Sequence, residues 1–467
     1  MGSNGGVDIP GARKTMATRK RVSVSSVRSE SPLVLQTAPN TDSEEWVAAW
    51  RAVLAKDIID SPVVSVDAET SVEDACELLL SKDIACLAVK MPADRSPKLS
   101  PFYGLFDFAD VNAFLILAAT RHKITSEELR EKPRVQEILT AAKDGKVAAY
   151  LISNLSEKNP LEVLPHDATI IQLLTIFARG THRVLVQAPS TDPSSPPSYL
   201  GLVSDRALLA WLTAYAQRTP PLLRFLSVPL SAVALPSLYL YAAVVAAKAS
   251  DKVLDAMRLM SDEGVSSVAV VDDETKGLLS AVSVTDIGKV VVPAQSNAIL
   301  GTPLKQLVTR IKEPDGSTDG VDKSPVYSVT PNNTLLYTMQ KLLATNSHRL
   351  FVTEDSPMSS AATFTSASPT NLCGIVSVVD VLAIFARIAN IPDVDPTRMQ
   401  RHRRASSTSS SSTSDSPRSP RSPRDHIAAR SRSGSRTGLQ RRVGSVGSFE
   451  GFQTHTRWAE RVPVPTE

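Results

Sequence analysis

A string of short apolar runs and apolar helices recurs four times along the 467-residue chain, and this recurrence restricts the possible folds more than any other feature. The order in each copy is strand, helix, strand, strand, helix, read from where apolar residues run together and where they recur three and four positions apart. In the first copy Val72, Ala75, Cys76 and Leu79 fall on one helix face, and Ser71 precedes them as a plausible helix cap.

One position per copy sets the register of the repeat. Gly104, Gly201, Ser280 and Gly374 align near the end of the last strand, and six residues later come Asp110, Ala207, Asp286 and Asp380. The spacing between copies is unequal, which argues against a solenoid, because a stacked array needs a nearly constant period.

The repeats and the composition divide the chain into segments. We predict an α/β (α+β) body of four repeats in two pairs, with a linker at 120–151 and a Ser/Thr-rich insert at 354–370. The predicted repeats span 58–119, 152–217, 225–292 and 300–390. The ends, 1–40 and 398–467, contain too few apolar residues to offset the entropy of ordering, so both are predicted to be disordered.

Charge separates the same three regions. The formal net charge is only +3, but residues 1–40 hold six Lys and Arg against two acids, and residues 398–467 hold fourteen Arg against five acids. The body between them carries 31 basic and 41 acidic residues. An acidic body with basic ends argues against a nucleic-acid binder.

Cysteines and hydropathy exclude further classes. Cys76, Cys86 and Cys373 form no CxxC pair and lie near no histidine cluster, so neither a disulfide framework nor a structural metal site is expected. The N-terminal segment lacks the apolar core of a signal peptide. The uncharged stretch 225–247 is long enough for a membrane span, but Pro229 and Pro236 interrupt it. We predict buried core or linker there, and no membrane.

The repeat unit resembles the cystathionine beta-synthase (CBS) domain, which pairs into modules that bind adenosine derivatives. Four copies resemble the gamma subunit of AMP-activated protein kinase. The strings 71–80, 104–112 and 154–156 are similar to a fungal family of four-repeat CBS regulators. That resemblance implies a non-catalytic role in the cell cycle, cell separation (DNA replication and meiosis) and the response to glucose limitation or stress. It also implies inhibition of type 2A-related protein phosphatases and a location in cytoplasm and nucleus.

The resemblance also implies regulatory binding of AMP, ADP or ATP, with no cofactor required. The nucleotide-binding residues it suggests are Ser283, Asp286, Ser377, Asp380, Asp110 and two His-Arg pairs, His182-Arg183 and His348-Arg349. A hydroxyl and a carboxylate at a helix start suit phosphate and ribose hydroxyls. In the first repeat Asp107 stands where the hydroxyl is expected, and in the second Ala207 replaces the carboxylate.

The same residues admit a structural interpretation. Ser-x-x-Asp before an apolar helix is also what a helix cap looks like, with no ligand required. The two histidines suit a cap or the edge of a core equally well. The sequence leaves a nucleotide site and a helix cap open at both Ser283 and Ser377.

An enzymatic function has less support in the sequence. The chain has no P-loop, dinucleotide fingerprint, HExxH motif or nucleophile elbow, so we predict no catalysis.

Tail serines that follow basic residues or precede proline predict regulation by phosphorylation, which adds about −1.5 to −2 charge per site. These are Ser23, Ser31, Ser406, Ser416, Ser419, Ser422 and Ser445. The predicted partner is a phosphatase or a kinase complex; the oligomeric state is left open.

Overall fold

The computed structural model describes residues 41–92, 100–121, 124–189, 197–233, 235, 244–292, 297–312, 327–354 and 372–394. The predicted disordered tails and nearly all of the predicted insert lie outside the described residues. So do the proposed modification sites Ser23, Ser31, Ser406, Ser416, Ser419, Ser422 and Ser445.

The first two repeats each contain the predicted strand, helix, strand, strand, helix unit. In repeat 1 these are β1 Ser65–Val66, α2 Val72–Ser81, β2 Leu87–Lys90, β3 Phe102–Phe106 and α3 Phe108–Thr120. In repeat 2 they are β4 Val163–Pro165, α7 Ile170–Phe177, β5 Arg183–Gln187, β6 Tyr199–Ser204 and α8 Asp205–Arg218. The Ser71 hydroxyl accepts the N–H of Asp74, as expected of the helix cap.

The last two repeats have the same order. Repeat 3 consists of β7 Ala246–Lys248, α10 Val253–Asp262, β8 Ser267–Val271, β9 Leu278–Ser283 and α11 Val284–Val291. Repeat 4 consists of β10 Ser328–Val329, α13 Leu335–Ala344, β11 Arg349–Thr353, β12 Leu372–Ser377 and α14 Val378–Ile388. Helix α11 begins at Val284, so Asp286 lies in its first turn.

Further helices connect or precede the repeats. They are α1 Thr41–Ala52, α4 Ser126–Glu131, α5 Pro133–Lys143, α6 Ala149–Ile152, α9 Pro220–Leu226, α12 Leu304–Lys312, and 3-10 helices at Ala55–Ile58, Leu230–Ala232 and Asn297–Gly301. The predicted linker 120–151 is therefore largely helical. None of the described helices combines the length and the apolar character that a membrane span requires.

Each repeat builds one three-stranded sheet with the same topology. The first strand pairs in parallel with the second, and the second pairs antiparallel with the third. The helix between the first two strands makes the crossover that parallel pairing needs. The second and third strands show a register shift near the same position in all four copies. The shared register makes residues at matching positions directly comparable.

The sheets of consecutive repeats pack against each other. Cys86, Leu105, Leu185 and Leu202 form a buried cluster between the sheets of repeats 1 and 2. Ala269, Phe351 and Ile375 belong to the corresponding cluster between repeats 3 and 4. Apolar area removed from water in these layers holds each pair together.

Helices join the two pairs to one another. The largest cluster combines α7 and α8 of repeat 2 with α13 and α14 of repeat 4, and α1 contributes Trp50 to it. A second cluster places α3 of repeat 1 against α10 and α11 of repeat 3. The buried core is thus arranged as a ring of four units, in which each repeat contacts one neighbour through its sheet and another through its helices.

The segment before each repeat packs on the other member of its pair. Val53 accepts the N–H of Ile170 in repeat 2, while the segment before repeat 2 supplies Val147, whose carbonyl accepts the N–H of Val72 in repeat 1. The second pair repeats the exchange through Leu335 N–H to Val228 and Val253 N–H to Thr302. This reciprocal exchange ties the two repeats of a pair together through the backbone.

Candidate functional site

The two His-Arg pairs meet where repeats 2 and 4 face each other. His182 and His348 stand directly before β5 and β11, so the shared register gives them equivalent positions. Their rings are 4.9 Å apart, centroid to centroid, with planes at 61°. Sequence positions 166 residues apart are thereby brought into one cluster.

A buried carboxylate lies between the two histidines. Asp205, the first residue of α8, is 0% exposed, and its Oδ2 lies 2.7 Å from Nδ1 of His182 and 3.5 Å from Nδ1 of His348. The contact to His348 does not meet hydrogen-bond geometry. Within the described part of the chain, neither this Nδ1 nor Oδ1 of Asp205 has a hydrogen-bond partner.

The electrostatics of this cluster follow from burial and proximity. Burial disfavours the charged carboxylate, but the neighbouring charges of His348 and His182 outweigh it and lower the pKa of Asp205. For His182, burial lowers the pKa in spite of the Asp205 carboxylate. Asp205 is therefore more acidic than a free aspartate, and His182 is less basic than a free histidine.

Arg183 and Arg349 each contact the repeat whose sheet packs against their own. Arg183 of repeat 2 lies 3.2 Å from Oδ2 of Asp107 in repeat 1. Arg349 of repeat 4 reaches the Ser266 hydroxyl of repeat 3 at 3.4 Å. The histidines thus connect the two pairs of repeats, and the arginines connect the members of each pair.

At the end of repeat 1 the chain's own polar groups occupy both carboxylates. Asp107 caps α3 and accepts a hydrogen bond from the Asn159 side chain. Asp110, which is 1% exposed, accepts the backbone N–H groups of Asn154 and Ser156. Burial and the nearby Asp107 raise the pKa of Asp110 to about 7. A ribose at this position would compete with the two backbone amides for the same carboxylate.

Repeats 3 and 4 end in reciprocal helix caps. Oδ2 of Asp286 accepts the N–H and the hydroxyl of Ser283, at 2.9 and 2.8 Å. Asp380 does the same for Ser377, at 2.8 and 2.6 Å, and is itself 2% exposed. Each serine oxygen in turn accepts the N–H of its aspartate. The capping arrangement that the sequence left open is therefore present at both positions.

Repeat 2 receives its carboxylate from elsewhere in the chain. Ala207 offers no acceptor, but Asp60, from the segment preceding β1, accepts both the N–H and the hydroxyl of Ser204. Asp60 thus takes the place next to Ser204 that an aspartate occupies in repeats 3 and 4.

Sequence reasoning missed Asp205 and Asp60. For Asp205 a signal existed, because the aligned positions in the other repeats are the apolar Phe108, Val284 and Val378. An acid in a position that is otherwise apolar, beside the aligned His-Arg pair, marks a buried polar cluster. Nothing in the local sequence around Asp60 indicates its contact with Ser204, which is 144 residues away.

The repeated unit and its paired arrangement define a class of protein. A family model for the CBS domain matches residues 55–99 and 242–292, which lie in repeats 1 and 3 and the segments before them. The chain is therefore a protein of tandem CBS domains, as predicted.

A more specific relationship comes from curated fungal proteins. The chain is 28% identical over 346 residues to protein sds23 of Aspergillus niger, covering 73% of this chain and 65% of that protein. It is 27% identical over 307 residues to protein sds23/moc1 of Schizosaccharomyces pombe, covering 65% of this chain and 70% of that protein. The chain is therefore similar to the fungal Sds23 proteins over most of its length. It spans 65% and 57% of the length of the Aspergillus niger and Neosartorya fischeri proteins.

A solved structure gives a looser match. The crystal structure of MJ1225 from Methanocaldococcus jannaschii, a candidate archaeal homologue of γ-AMPK, aligns with a TM-score of 0.47 at 13% identity. The alignment covers 71% of this chain and all of that one.

Proposed function

We propose that this protein is a non-catalytic signalling regulator that inhibits or scaffolds a type 2A-related protein phosphatase. It would regulate the cell cycle, cell separation and the response to nutrients or stress. It would act in the cytoplasm and the nucleus. The observation that carries the proposal is the similarity to Sds23 proteins over a body built of four CBS units. CBS domains serve as regulatory modules in this class of protein, which is generally non-catalytic.

The buried polar contacts between the repeats support a regulatory role. Asp205, His182 and His348 connect repeats 2 and 4, while Arg183 and Asp107 connect repeats 2 and 1. A ligand or partner that altered one of these contacts would bias the packing of several repeats together. Coupling of this kind is what a signalling module needs.

An inhibition assay tests the proposal. The purified full chain should reduce the rate at which a type 2A-related catalytic subunit dephosphorylates a phosphopeptide, in proportion to its concentration. Replacing Ser416, Ser419 and Ser422 with Asp should change the inhibition, because each added charge alters a strongly basic tail. A protein that neither binds nor inhibits the phosphatase, whether phosphorylated or not, contradicts the proposal.

A matched control separates site from charge. Ser410, Ser411 and Ser412 lie in the same tail, but none is followed by proline. Replacing these three with Asp adds the same charge. An equal response in both variants would assign the effect to net charge rather than to the Ser-Pro sites.

An adenine-nucleotide sensor, acting as a gamma-type subunit of a protein kinase, is the second candidate function. The observation favouring it is that Ser283 with Asp286, and Ser377 with Asp380, stand at the starts of α11 and α14, where helix N-termini attract phosphate. The His-Arg pairs would supply cations. Because both oxygens of Asp110 already accept backbone N–H groups, this proposal gives that residue a structural role.

Calorimetry with AMP, ADP and ATP tests the nucleotide sites. The wild type should release or absorb heat on binding, and Asp286→Ala and Asp380→Ala should weaken it. Asp255→Ala is the control, since Asp255 accepts the backbone N–H of Lys252 at the start of α10 but has no serine hydroxyl beside it. No heat at millimolar nucleotide would eliminate this function and leave the phosphatase proposal standing.

A further inference from the structure

The cluster of His182, Asp205 and His348 has the composition of a metal site. Each residue offers one ligand atom, and these atoms lie within 4.8 Å of one another. We propose that the two Nδ1 atoms and the Asp205 carboxylate bind a divalent transition-metal ion such as Zn²⁺ at the junction of repeats 2 and 4. The sequence alone predicted no metal, because the ligands come from two distant repeats.

The distances suit such an ion after a small adjustment. Zinc binds histidine nitrogen and carboxylate oxygen at about 2.0–2.2 Å, which separates neighbouring ligand atoms by about 3.4 Å. The Nδ1 atoms of His182 and His348 lie 2.7 and 3.5 Å from Oδ2 of Asp205. Two imidazoles and one carboxylate favour Zn²⁺, Co²⁺ or Ni²⁺ over Mg²⁺ and Ca²⁺, which prefer oxygen ligands.

The unpaired polar atoms point to a missing ligand. Oδ1 of Asp205 belongs to a fully buried side chain, and it has no hydrogen-bond partner among the described residues. Nδ1 of His348 is a buried atom that also has no hydrogen-bond partner there. Buried polar atoms are rarely left in this state, because each costs about 1–3 kcal/mol. A metal ion bound by both carboxylate oxygens of Asp205 and by the two Nδ1 atoms would satisfy both unpaired atoms together.

Charge and access also suit a cation. Asp205 brings a negative charge, and the positive charge of Arg183 is opposed by Asp107 at 3.2 Å. The side chains of His182 and His348 remain 19% and 33% exposed, so an ion can enter from this side and keep water as a further ligand.

The alternative occupant is a proton. An imidazolium shared between the histidines would also neutralise Asp205 without any metal. The two alternatives differ in one respect that can be measured, because only the metal site gives Co²⁺ the visible absorption of an ion held by nitrogen and oxygen ligands at low symmetry.

The test titrates Co²⁺ and Zn²⁺ into the full chain after removal of metals with a chelator. One equivalent of Co²⁺ should develop visible absorption that Zn²⁺ abolishes, and Zn²⁺ should raise Tm. Asp205→Asn and His348→Gln should each weaken Co²⁺ binding at least tenfold and remove the Tm shift. His166→Ala is the control, since this histidine lies outside the cluster.

Two variants keep the test decisive if one of them folds poorly. His348 is partly exposed, so His348→Gln should retain the metal-free Tm of the wild type even if Asp205→Asn does not. The tail histidines, His402, His426 and His455, are unchanged in every variant, so metal bound there cancels in the comparison. Absence of the Co²⁺ spectrum, or the same spectrum in all four proteins, overturns the proposal in favour of the shared proton.

Discussion

The surroundings of Asp110 disfavour the ionised form of its carboxyl group. It is 1% exposed and lies beside Asp107, yet it accepts backbone N–H groups from Asp107, Asn154 and Ser156. Burial and the second carboxylate outweigh these hydrogen bonds and raise the pKa of Asp110 from 3.8 to about 7. The group therefore takes up its proton more readily in the folded chain than in the unfolded one.

This raised pKa predicts a pH-dependent difference between the wild type and Asp110→Asn. The folded-state pKa lies above the unfolded value, so the stabilisation it gives is complete below about pH 4 and is lost as the pH rises through about 7. The free energy of unfolding of the wild type, minus that of the variant, should fall across this range by up to a few kcal/mol, at about 1.4 kcal/mol per pKa unit.

Denaturant unfolding at fixed ionic strength measures this difference. Glu77→Gln makes the same carboxylate-to-amide change at an exposed position on α2 and should show no such trend. A difference between the wild type and Asp110→Asn that stays constant from pH 4 to 8 would show that Asp110 is ionised throughout.

Local sequence predicted single residues well where the reason was local. The Ser71 cap, and the caps at Ser283 and Ser377, were visible because a cap depends on residues three positions apart. Asp205 and Asp60 were not predicted, because their partners lie in other parts of the chain and no local pattern records a tertiary contact. The same limit hid the convergence of His182 and His348.

Helix α1 illustrates a structural element that the sequence left unassigned. It precedes repeat 1 but packs in the core shared by repeats 2 and 4. Trp50 is 0% exposed and contacts Phe385 of α14 edge-on, with ring centroids 5.8 Å apart. Helices α4 and α5 were likewise read as linker, because their apolar residues are too few to produce a clear repeat pattern. The four repeats themselves were predictable, since each contains both strand and helix periodicity.

Two substitutions at Trp50 should differ in cost. Trp50→Ala removes a large buried side chain and should lower the free energy of unfolding by about 3–5 kcal/mol. Trp50→Phe should cost clearly less, because it keeps most of the apolar volume and removes an indole N–H that has no hydrogen-bond partner among the described residues. Chemical denaturation followed by circular dichroism measures both values.

Trp211→Phe is a suitable control for the loss of an indole. Trp211 lies on α8, is only partly buried, and stacks on Tyr215 at 5.2 Å. If Trp50→Phe proves as costly as Trp50→Ala, then the indole N–H has a partner, and α1 is held by more than apolar packing.

On the scale of the whole molecule, repeats 1 and 3 meet where α3 packs against α10 and α11, and one contact in this interface is especially close. Gly288 on α11 lies against the ring of Phe108 at the start of α3, and a Cβ atom added at Gly288 would lie 2.3 Å from Cδ1 of that ring. The repeat pattern predicted four related units, but the pairing of helices across the two pairs could not be read from it. That pairing depends on the shapes of surfaces from repeats that are far apart in sequence.

Gly288→Ala should therefore destabilise the protein, although alanine is the better helix former. The gain in helix propensity is about 1 kcal/mol. Overpacking of a close contact costs about 1–3 kcal/mol. In the double variant Gly288→Ala/Phe108→Leu the ring is replaced by a smaller side chain, which should recover part of the lost stability. The two substitutions should therefore be coupled in a double-mutant cycle. Gly301→Ala is the control, because a Cβ atom there meets nothing within 4 Å. Additive effects would mean that the two helices separate freely, and that repeats 1 and 3 do not constrain each other.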